Sequence, residues 1–74
     1  MVRDYLKRLR EQNGLTMNEI AEKLGVSKQY YFMIENGERQ KSMDITLVIK
    51  LCDIFQVTPE TILSYELSVM KGGN

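Results

Sequence analysis

Seventy-four residues with a mass of 8.6 kDa fold as one small domain, which excludes a multidomain enzyme. The chain is 43% hydrophobic and 27% charged, a balance typical of a folded globule, and its ten basic and ten acidic side chains cancel, so the net charge does not indicate a polyanionic partner. It has no His and a single Cys, which excludes a His/Cys metal site, imidazole-dependent catalysis and a disulfide framework, so we expect a non-enzymatic protein without cofactors.

Apolar residues recur at helical spacing along the chain, and the first such segment predicts a helix over residues 2–13. Val2, Leu6 and Leu9 share one face of this helix, and charged residues occupy the others. Gly14 follows, and its freedom to adopt a positive φ suits the end of a helix. We therefore expect an amphipathic first helix that turns these three apolar side chains toward the core.

The second helix begins with a capping box, in which a Thr side chain and a Glu three residues later each bond the other's backbone amide. Thr16 and Glu19 have this spacing. The predicted core face of this helix follows at helical spacing and consists of Met17, Ile20, Ala21 and Leu24.

The connection from the second helix to the third is short. Gly25 closes the second helix, and Ser27 caps a third helix that we predict over residues 28–36, with Gly37 after it. Two helices joined so closely pack at a steep angle, as in a helix-turn-helix.

Two further helices complete the predicted fold. Asp44 caps a fourth helix, and Thr58 caps a fifth, with Pro59 at its first position. The fourth helix has a core stripe of Val48, Leu51, Cys52 and Phe55. We expect an all-α protein with one domain over residues 1–67 and a flexible tail over residues 68–74.

The start of the chain is charged where a secretion signal is apolar, and no apolar run approaches the roughly 18 residues that span a membrane. The lone Cys fits a reducing compartment. We expect a cytoplasmic protein with no membrane partner, and the sequence shows no evident binding site for a small-molecule ligand.

Several short motifs stand at fixed spacings along the chain. They are Leu6–Arg10, Gly14–Thr16, Glu19–Ala21, Leu24–Ser27, Ile34–Gly37 and Arg39. Over roughly residues 6–63 the pattern resembles the Xre or Cro/CI-type helix-turn-helix family of phage and bacterial repressors. The resemblance implies a compact five-helix bundle of the lambda repressor-like DNA-binding type. It also implies a homodimer that places its third helix in the major groove of double-stranded DNA.

A helix in the major groove presents its N-terminal residues to the base edges first. In this chain that places Lys28 and Gln29 at the leading end, with Phe32 and Met33 further along the helix. Gln29 can bond adenine in a bidentate way, and Lys28 can reach guanine acceptors or a phosphate. We expect these four side chains to read bases.

Contacts to the DNA backbone are expected at both ends of the same region. Amides at the starts of the second and third helices, near Thr16 and Ser27, can bind phosphate oxygens with help from the helix dipole. Asn36, and then Arg39 and Lys41 in the following turn, are the other expected phosphate contacts.

Two charged residues receive a structural role instead. In the resembled family an Arg at the end of the first helix pairs with the Glu of the Ile-Glu-Asn-Gly segment, and both positions are matched here by Arg10 and Glu35. Such a pair fixes helix placement more than it adds stability, because desolvation offsets much of the attraction. We therefore exclude both residues from the DNA-binding set.

The third helix departs from the family pattern between residues 30 and 34, where it is apolar all the way round. Phe32 and Met33 stand where small, polar or basic residues are usual. Thymine methyl groups can cover them, and so can a protein partner. A third possibility is that both side chains pack on the fourth helix or on the preceding loop, which is longer than the family's common form and lacks its Pro.

The sequence therefore predicts a repressor-like, sequence-specific DNA-binding regulator that binds a roughly palindromic operator as a dimer. Dimerisation would use the fourth and fifth helices or residues 64–70. The alternative is a protein-interaction module, antirepressor-like or scaffolding, that uses the apolar third helix.

Overall fold

The computed structural model describes residues 2–72 and contains five helices and no strands over that range. The helices are α1 (Asp4–Gln12), α2 (Met17–Leu24), α3 (Lys28–Glu35), α4 (Ile45–Phe55) and α5 (Pro59–Gly72). The all-α, five-helix bundle expected from the sequence is therefore confirmed.

The first helix begins later than predicted, and this changes the position of Val2. Arg3 is the residue before the helix, with φ −95° and ψ 72°, and α1 starts at Asp4. The chain enters the helix with Arg3 turned inward, so Val2 stays 54% exposed. The prediction that Val2 lies on the core face is wrong, whereas Leu6 is fully buried and Leu9 is half-buried.

All four predicted capping interactions are present, because each depends only on residues three positions apart. The capping box of α2 closes in both directions, with 3.1 Å from the Glu19 amide to Thr16 Oγ1 and 2.8 Å from the Thr16 amide to Glu19 Oε1. The other three caps join Ser27 to the Tyr30 amide, Asp44 to the Leu47 amide and Thr58 to the Thr61 amide.

The turn between α2 and α3 brings the two helices directly together. Gly25 adopts the left-handed conformation with φ 74°, which a residue with a side chain enters only with strain. The next amide, that of Val26, donates to the Ala21 carbonyl at 3.0 Å and completes the end of α2. These contacts confirm the predicted helix-turn-helix.

The core lies on the inner side of α3 and receives buried side chains from all five helices. Its buried apolar members are Tyr5, Leu6, Ile20, Ala21, Leu24, Tyr31, Ile34, Leu47, Val48, Leu51, Phe55 and Ile62. Cys52 and Met17, both predicted to be core residues, are half-buried at the edge of this cluster. Burial, with a further contribution from Glu60, raises the pKa of the Cys52 thiol and so favours its unreactive protonated form.

The fifth helix continues beyond the predicted domain end at Leu67. It runs to Gly72, and Val69 packs against the core. The last two residues of the predicted flexible tail, 73 and 74, lie outside the described residues, and the flexibility of 68–74 stays a prediction.

Candidate nucleic-acid interface

One face of α3 points away from the core because its buried residues, Tyr31, Ile34 and Glu35, share the opposite face. The outward residues are the ones that the helical register leaves: Lys28, Gln29 and Phe32 are exposed, and Met33 and Asn36 are half-buried. An α-helix with its side chains is about 10–12 Å across, which fits the major groove of B-DNA, about 12 Å wide. The predicted base-reading residues therefore lie on one accessible face of α3.

Phe32 lies at the end of this surface that faces α1. It is 49% exposed and lines a shallow hollow together with Lys7, Met17 and Asn36. Packing on α4 does not account for such a side chain, since half of its surface is open to solvent. Phe32 is thus placed where a thymine methyl group or an apolar side chain of a partner can contact it.

The start of α2 carries its own negative charge. The Glu19 carboxylate accepts the Thr16 amide, and this hydrogen bond holds the pKa of Glu19 below its ordinary value. The Thr16 amide, one of the N–H donors expected to bind a phosphate, is therefore already occupied by the Glu19 carboxylate. By helix geometry the first-turn amides of Met17 and Asn18 have no intrahelical partner, and these are the amides that remain for an anion.

The start of α3 has no acidic residue in its first turn. Ser27 Oγ accepts the Tyr30 amide at 3.0 Å, and the amides of Lys28 and Gln29 point out of the helix end by geometry. The positive end of the helix dipole and the Lys28 ammonium therefore reinforce each other here. Of the two predicted anion sites, the one at Ser27 is electrostatically the better.

The turn after α3 carries the two predicted phosphate contacts Arg39 and Lys41, and both are exposed. Between them, Gln40 adopts a positive φ of 57° and its side chain bridges two helices. Its amide nitrogen donates to the Tyr30 hydroxyl at 3.0 Å, and its amide oxygen accepts the Asp44 amide at 2.9 Å. The long, Pro-free loop is thus held by Gln40, and Tyr30 is covered by the loop.

Asn36 ends α3 and is less available than the sequence indicated. Its side-chain nitrogen donates to the Phe32 carbonyl at 2.9 Å, which uses one of its two N–H donors. The second donor remains for a phosphate.

The expected Arg10–Glu35 pair is present, with 2.8 Å between Nε and the carboxylate, and both residues are buried. Arg10 also donates to the Leu15 carbonyl at 3.2 Å, and the hydrogen bond to Glu35 raises the pKa of Arg10. The pair ties α1 and the start of the α2 segment to the inner face of α3. This is the structural role assigned from the resemblance.

Two residues near the interface were missed by sequence reasoning. Lys7 is exposed and borders the hollow beside Phe32, so it adds a cation on the α1 side of the surface. Its spacing of four residues from Arg3 and three from Arg10 was the available signal. Arg3 is fully buried despite its charge, and no local pattern indicates that.

The charges around α3 are mixed. Lys28, Arg39 and Lys41 are exposed, but so are Glu19 and Glu38, and Glu38 borders the same surface depression as Lys41. Because the charges are mixed, this surface can bind a polyanion through individual side-chain and amide contacts but has no strong net positive potential.

Within residues 2–72 no three His, Cys, Asp or Glu side chains come together as metal ligands, and none of the helices described there is long and apolar enough to cross a membrane.

Known proteins similar in sequence to this chain are helix-turn-helix proteins. A model of the helix-turn-helix family matches residues 6–62. An uncharacterised HTH-type transcriptional regulator of Bacillus subtilis is 39% identical over 46 residues, which cover 62% of this chain and 60% of that protein. An uncharacterised HTH-type transcriptional regulator of Methanocaldococcus jannaschii is 37% identical over 65 residues, which cover 88% of this chain and 96% of that protein.

A putative HTH-type transcriptional regulatory protein of Thermococcus kodakarensis is 40% identical over 52 residues, 70% of this chain but 16% of that protein. The chain thus spans less than two thirds of the Bacillus and Thermococcus relatives. No solved structure matches the chain significantly.

A short exposed helix, joined by a tight glycine turn to a second helix packed behind it, defines a helix-turn-helix protein. The chain belongs to the Xre or Cro/CI-type helix-turn-helix family, a family of DNA-binding transcriptional regulators.

Proposed function

We propose that this protein is a repressor-like regulator that recognises a specific DNA sequence by placing α3 in the major groove. The observation that carries the proposal is the outward face of α3, with Lys28 and Gln29 exposed at its N-terminal end and Phe32 exposed one turn later. Its function is non-enzymatic and is exerted in the cytoplasm.

The base-reading roles follow from the side chains that share this face. Gln29 bonds the N6 and N7 positions of an adenine, and Lys28 reaches the acceptors of a guanine or the nearest phosphate. Phe32 and Met33 contact thymine methyl groups, for which apolar side chains are the natural readers.

The phosphate contacts surround the base readers. The amides after Ser27 and, more weakly, those after Thr16 bind phosphate oxygens. Asn36, Arg39 and Lys41 hold the backbone at the other end of α3. Lys7 adds a further contact on the α1 side.

The regulator acts as a homodimer on a roughly palindromic operator, with half-sites about 34 Å apart. Helices α4 and α5 have exposed apolar side chains that a second copy of the chain can cover. These side chains are Ile45 and Ile49 on α4 and Leu63, Leu67 and Met70 on α5. Analytical ultracentrifugation of the protein with and without Leu67→Glu tests whether this surface forms the dimer.

A second candidate function is supported by Phe32. A half-exposed aromatic side chain on the proposed DNA-reading surface is also a suitable anchor for a protein partner, since aromatic side chains dominate many protein interfaces. In that case the protein is an interaction module, antirepressor-like or scaffolding.

Salt dependence separates the two functions. We expect the selection of bound sequences from random duplex DNA, carried out at about 50 and about 200 mM salt, to yield a common motif and much weaker binding at the higher concentration. A protein interface centred on Phe32 is nearly indifferent to the same change, because its contacts are apolar.

Two variants then test the division of roles. Gln29→Ala relaxes the preference at one position of the motif by about 1–3 kcal/mol, whereas Arg39→Ala weakens binding to all sequences alike and reduces the salt slope by about one. Equal effects of the two variants would contradict these roles, and the absence of any selected motif would contradict sequence-specific recognition.

A further inference from the structure

Arg3 is a buried cation whose guanidinium donates to five acceptor atoms, and it lies outside every motif discussed above. It is 0% exposed, and its guanidinium has five N–H donors. Nε donates to Glu66 Oε2 at 2.7 Å, and Nη2 donates to Glu66 Oε1 at 3.0 Å. The remaining donors go to three backbone carbonyls: Nη1 to Ile34 at 2.8 Å and to Arg39 at 3.2 Å, and Nη2 to Gln40.

The first consequence concerns the C-terminal end of α3. A helix leaves its last carbonyls without helical partners, and here Arg3 donates to two of them, of which the Ile34 carbonyl also accepts the Gly37 amide at 3.1 Å. Its backbone amide donates to the Glu35 carbonyl at 2.7 Å, and its side chain donates to the Ile34 carbonyl. The positive charge of Arg3 also complements the negative end of the helix dipole.

The second consequence concerns the loop that follows α3. The carbonyls of Arg39 and Gln40 both turn inward to Arg3, so the backbone of Arg39 is fixed while its side chain stays exposed. The other end of the guanidinium is held by Glu66 of α5, which also accepts a hydrogen bond from the Tyr5 hydroxyl. One side chain thereby joins the segment before α1, the end of α3, the loop and α5.

We propose that Arg3 is a positioning residue for DNA binding: held by Glu66, it fixes the end of α3 and the following loop so that Arg39 and Lys41 meet the DNA backbone. This inference rests on the proposed DNA-binding function and deepens it: Arg3 and Glu66 are both buried, so their effect on binding is exerted through the loop.

Only Arg has the donors for this task. Lys carries the same charge and can pair with Glu66, but its three donors radiate from one nitrogen and cannot reach the carboxylate and three carbonyls together. Arg3→Lys therefore separates the ion pair from the carbonyl contacts. Arg8→Lys is the matched control, because Arg8 is an exposed arginine of α1 with no place in the proposed interface.

The experiment compares the wild type, Arg3→Lys and Arg8→Lys by two measurements on folded protein. Backbone ¹⁵N relaxation reports the order of the amides at residues 38–42, and duplex titrations at several salt concentrations report the affinity and its salt slope. For Arg3→Lys we expect lower order in the loop and weaker binding of all sequences with the base preference kept. The salt slope should fall by about 0.9 for each phosphate that the loop no longer neutralises. Arg8→Lys should match the wild type in both measurements.

A second variant guards against misfolding of the first. Arg3→Met combined with Glu66→Gln removes both charges, so no buried charge is left unpaired, and keeps an oxygen for the Tyr5 hydroxyl. The same loosened loop and lower salt slope are expected in this double variant.

The possible outcomes test separately whether Arg3 orders the loop, whether loop order affects DNA binding, and whether the protein binds DNA. A loop as ordered in Arg3→Lys and in the double variant as in the wild type would show that Arg3 does not fix it. A loosened loop with unchanged affinity and salt slope would show that its order does not matter for DNA. If the wild type binds no duplex, the proposed function itself is overturned, while the relaxation data still establish whether Arg3 orders the loop.

Discussion

The guanidinium of Arg10 and the carboxylate of Glu35 meet at 2.8 Å, although 25 residues separate them in the chain. Both are buried, and the Tyr31 hydroxyl lies beside them. A buried pair of this kind holds α1 in one orientation against α3, because a displaced helix would leave one charge in an apolar environment.

Removal of one partner of this pair should therefore cost much more than removal of both. We expect Arg10→Met and Glu35→Leu each to lower the free energy of unfolding by about 3–5 kcal/mol, since each leaves an unpaired buried charge. The double variant should recover most of that stability. Urea denaturation followed by circular dichroism measures all three, and additive effects of the two changes would contradict the coupling.

Two buried tyrosines should respond differently to removal of the hydroxyl group. The Tyr5 hydroxyl donates to Glu66, so Tyr5→Phe should lower the free energy of unfolding by about 1.5–3 kcal/mol, the range for a hydrogen bond to a charged group. Tyr31 is equally buried, and its hydroxyl lies against the Arg10–Glu35 pair, but within residues 2–72 it makes no hydrogen bond of regular geometry.

For Tyr31→Phe we therefore expect a smaller loss of stability than for Tyr5→Phe, because the Tyr31 hydroxyl lies near Glu35 without a hydrogen bond of regular geometry. Each tyrosine is the control for the other, and urea denaturation of both variants under one condition gives the comparison. Equal destabilisation by the two changes would contradict the difference between their environments.

Glu19 should oppose DNA binding. Its carboxylate lies at the start of α2, where a phosphate is expected, and Gln at the same position keeps an oxygen for the Thr16 amide without the charge. We expect Glu19→Gln to raise the affinity for duplex DNA about two- to fivefold at low salt, with the difference fading as salt increases. Glu11→Gln, an exposed change on α1, is the control, and an equal gain from it would show only a general charge effect.

The same carboxylate gives the fold a small acid sensitivity. The hydrogen bond from the Thr16 amide lowers the pKa of Glu19 in the folded state, so its contribution to stability is present above the unfolded pKa of about 4.3 and is lost as pH falls through the folded pKa. The stability advantage of the wild type over Glu19→Gln should therefore shrink as pH falls from about 4.3 through the lowered folded pKa. A carboxyl titration by NMR that finds Glu19 at or above its ordinary pKa would contradict the capping contribution.

The features that could be predicted from the sequence are those that depend on near neighbours. The capping residues Thr16, Ser27, Asp44 and Thr58 each act on an amide three positions away, so the pattern of residue types is enough to identify them. The glycine turn at Gly25 is local in the same sense. The apolar pattern locates the ends of helices less well. It extends α1 two residues too far toward the start of the chain, which is why the predicted core position of Val2 is wrong.

Contacts between distant residues could not be predicted from local pattern. The Arg10–Glu35 pair was expected only because a family resemblance supplied it. The Arg3 contacts were missed, since three of its partners are backbone carbonyls, which every residue type carries alike. The role of Gln40 was missed for a related reason: its side chain joins Tyr30 to Asp44 in a loop that has no periodic pattern.

The bond between Arg3 and Glu66 also affects the order in which the chain can acquire its structure. The hydrogen bonds of the helices and their caps join near neighbours and can form early, whereas these two side chains are 63 residues apart. During synthesis, Arg3 leaves the ribosome well before α5 and stays without its carboxylate until Glu66 has emerged. The proposed role of Arg3 therefore implies that a nascent chain lacking α5 also lacks the contacts that would position Arg39.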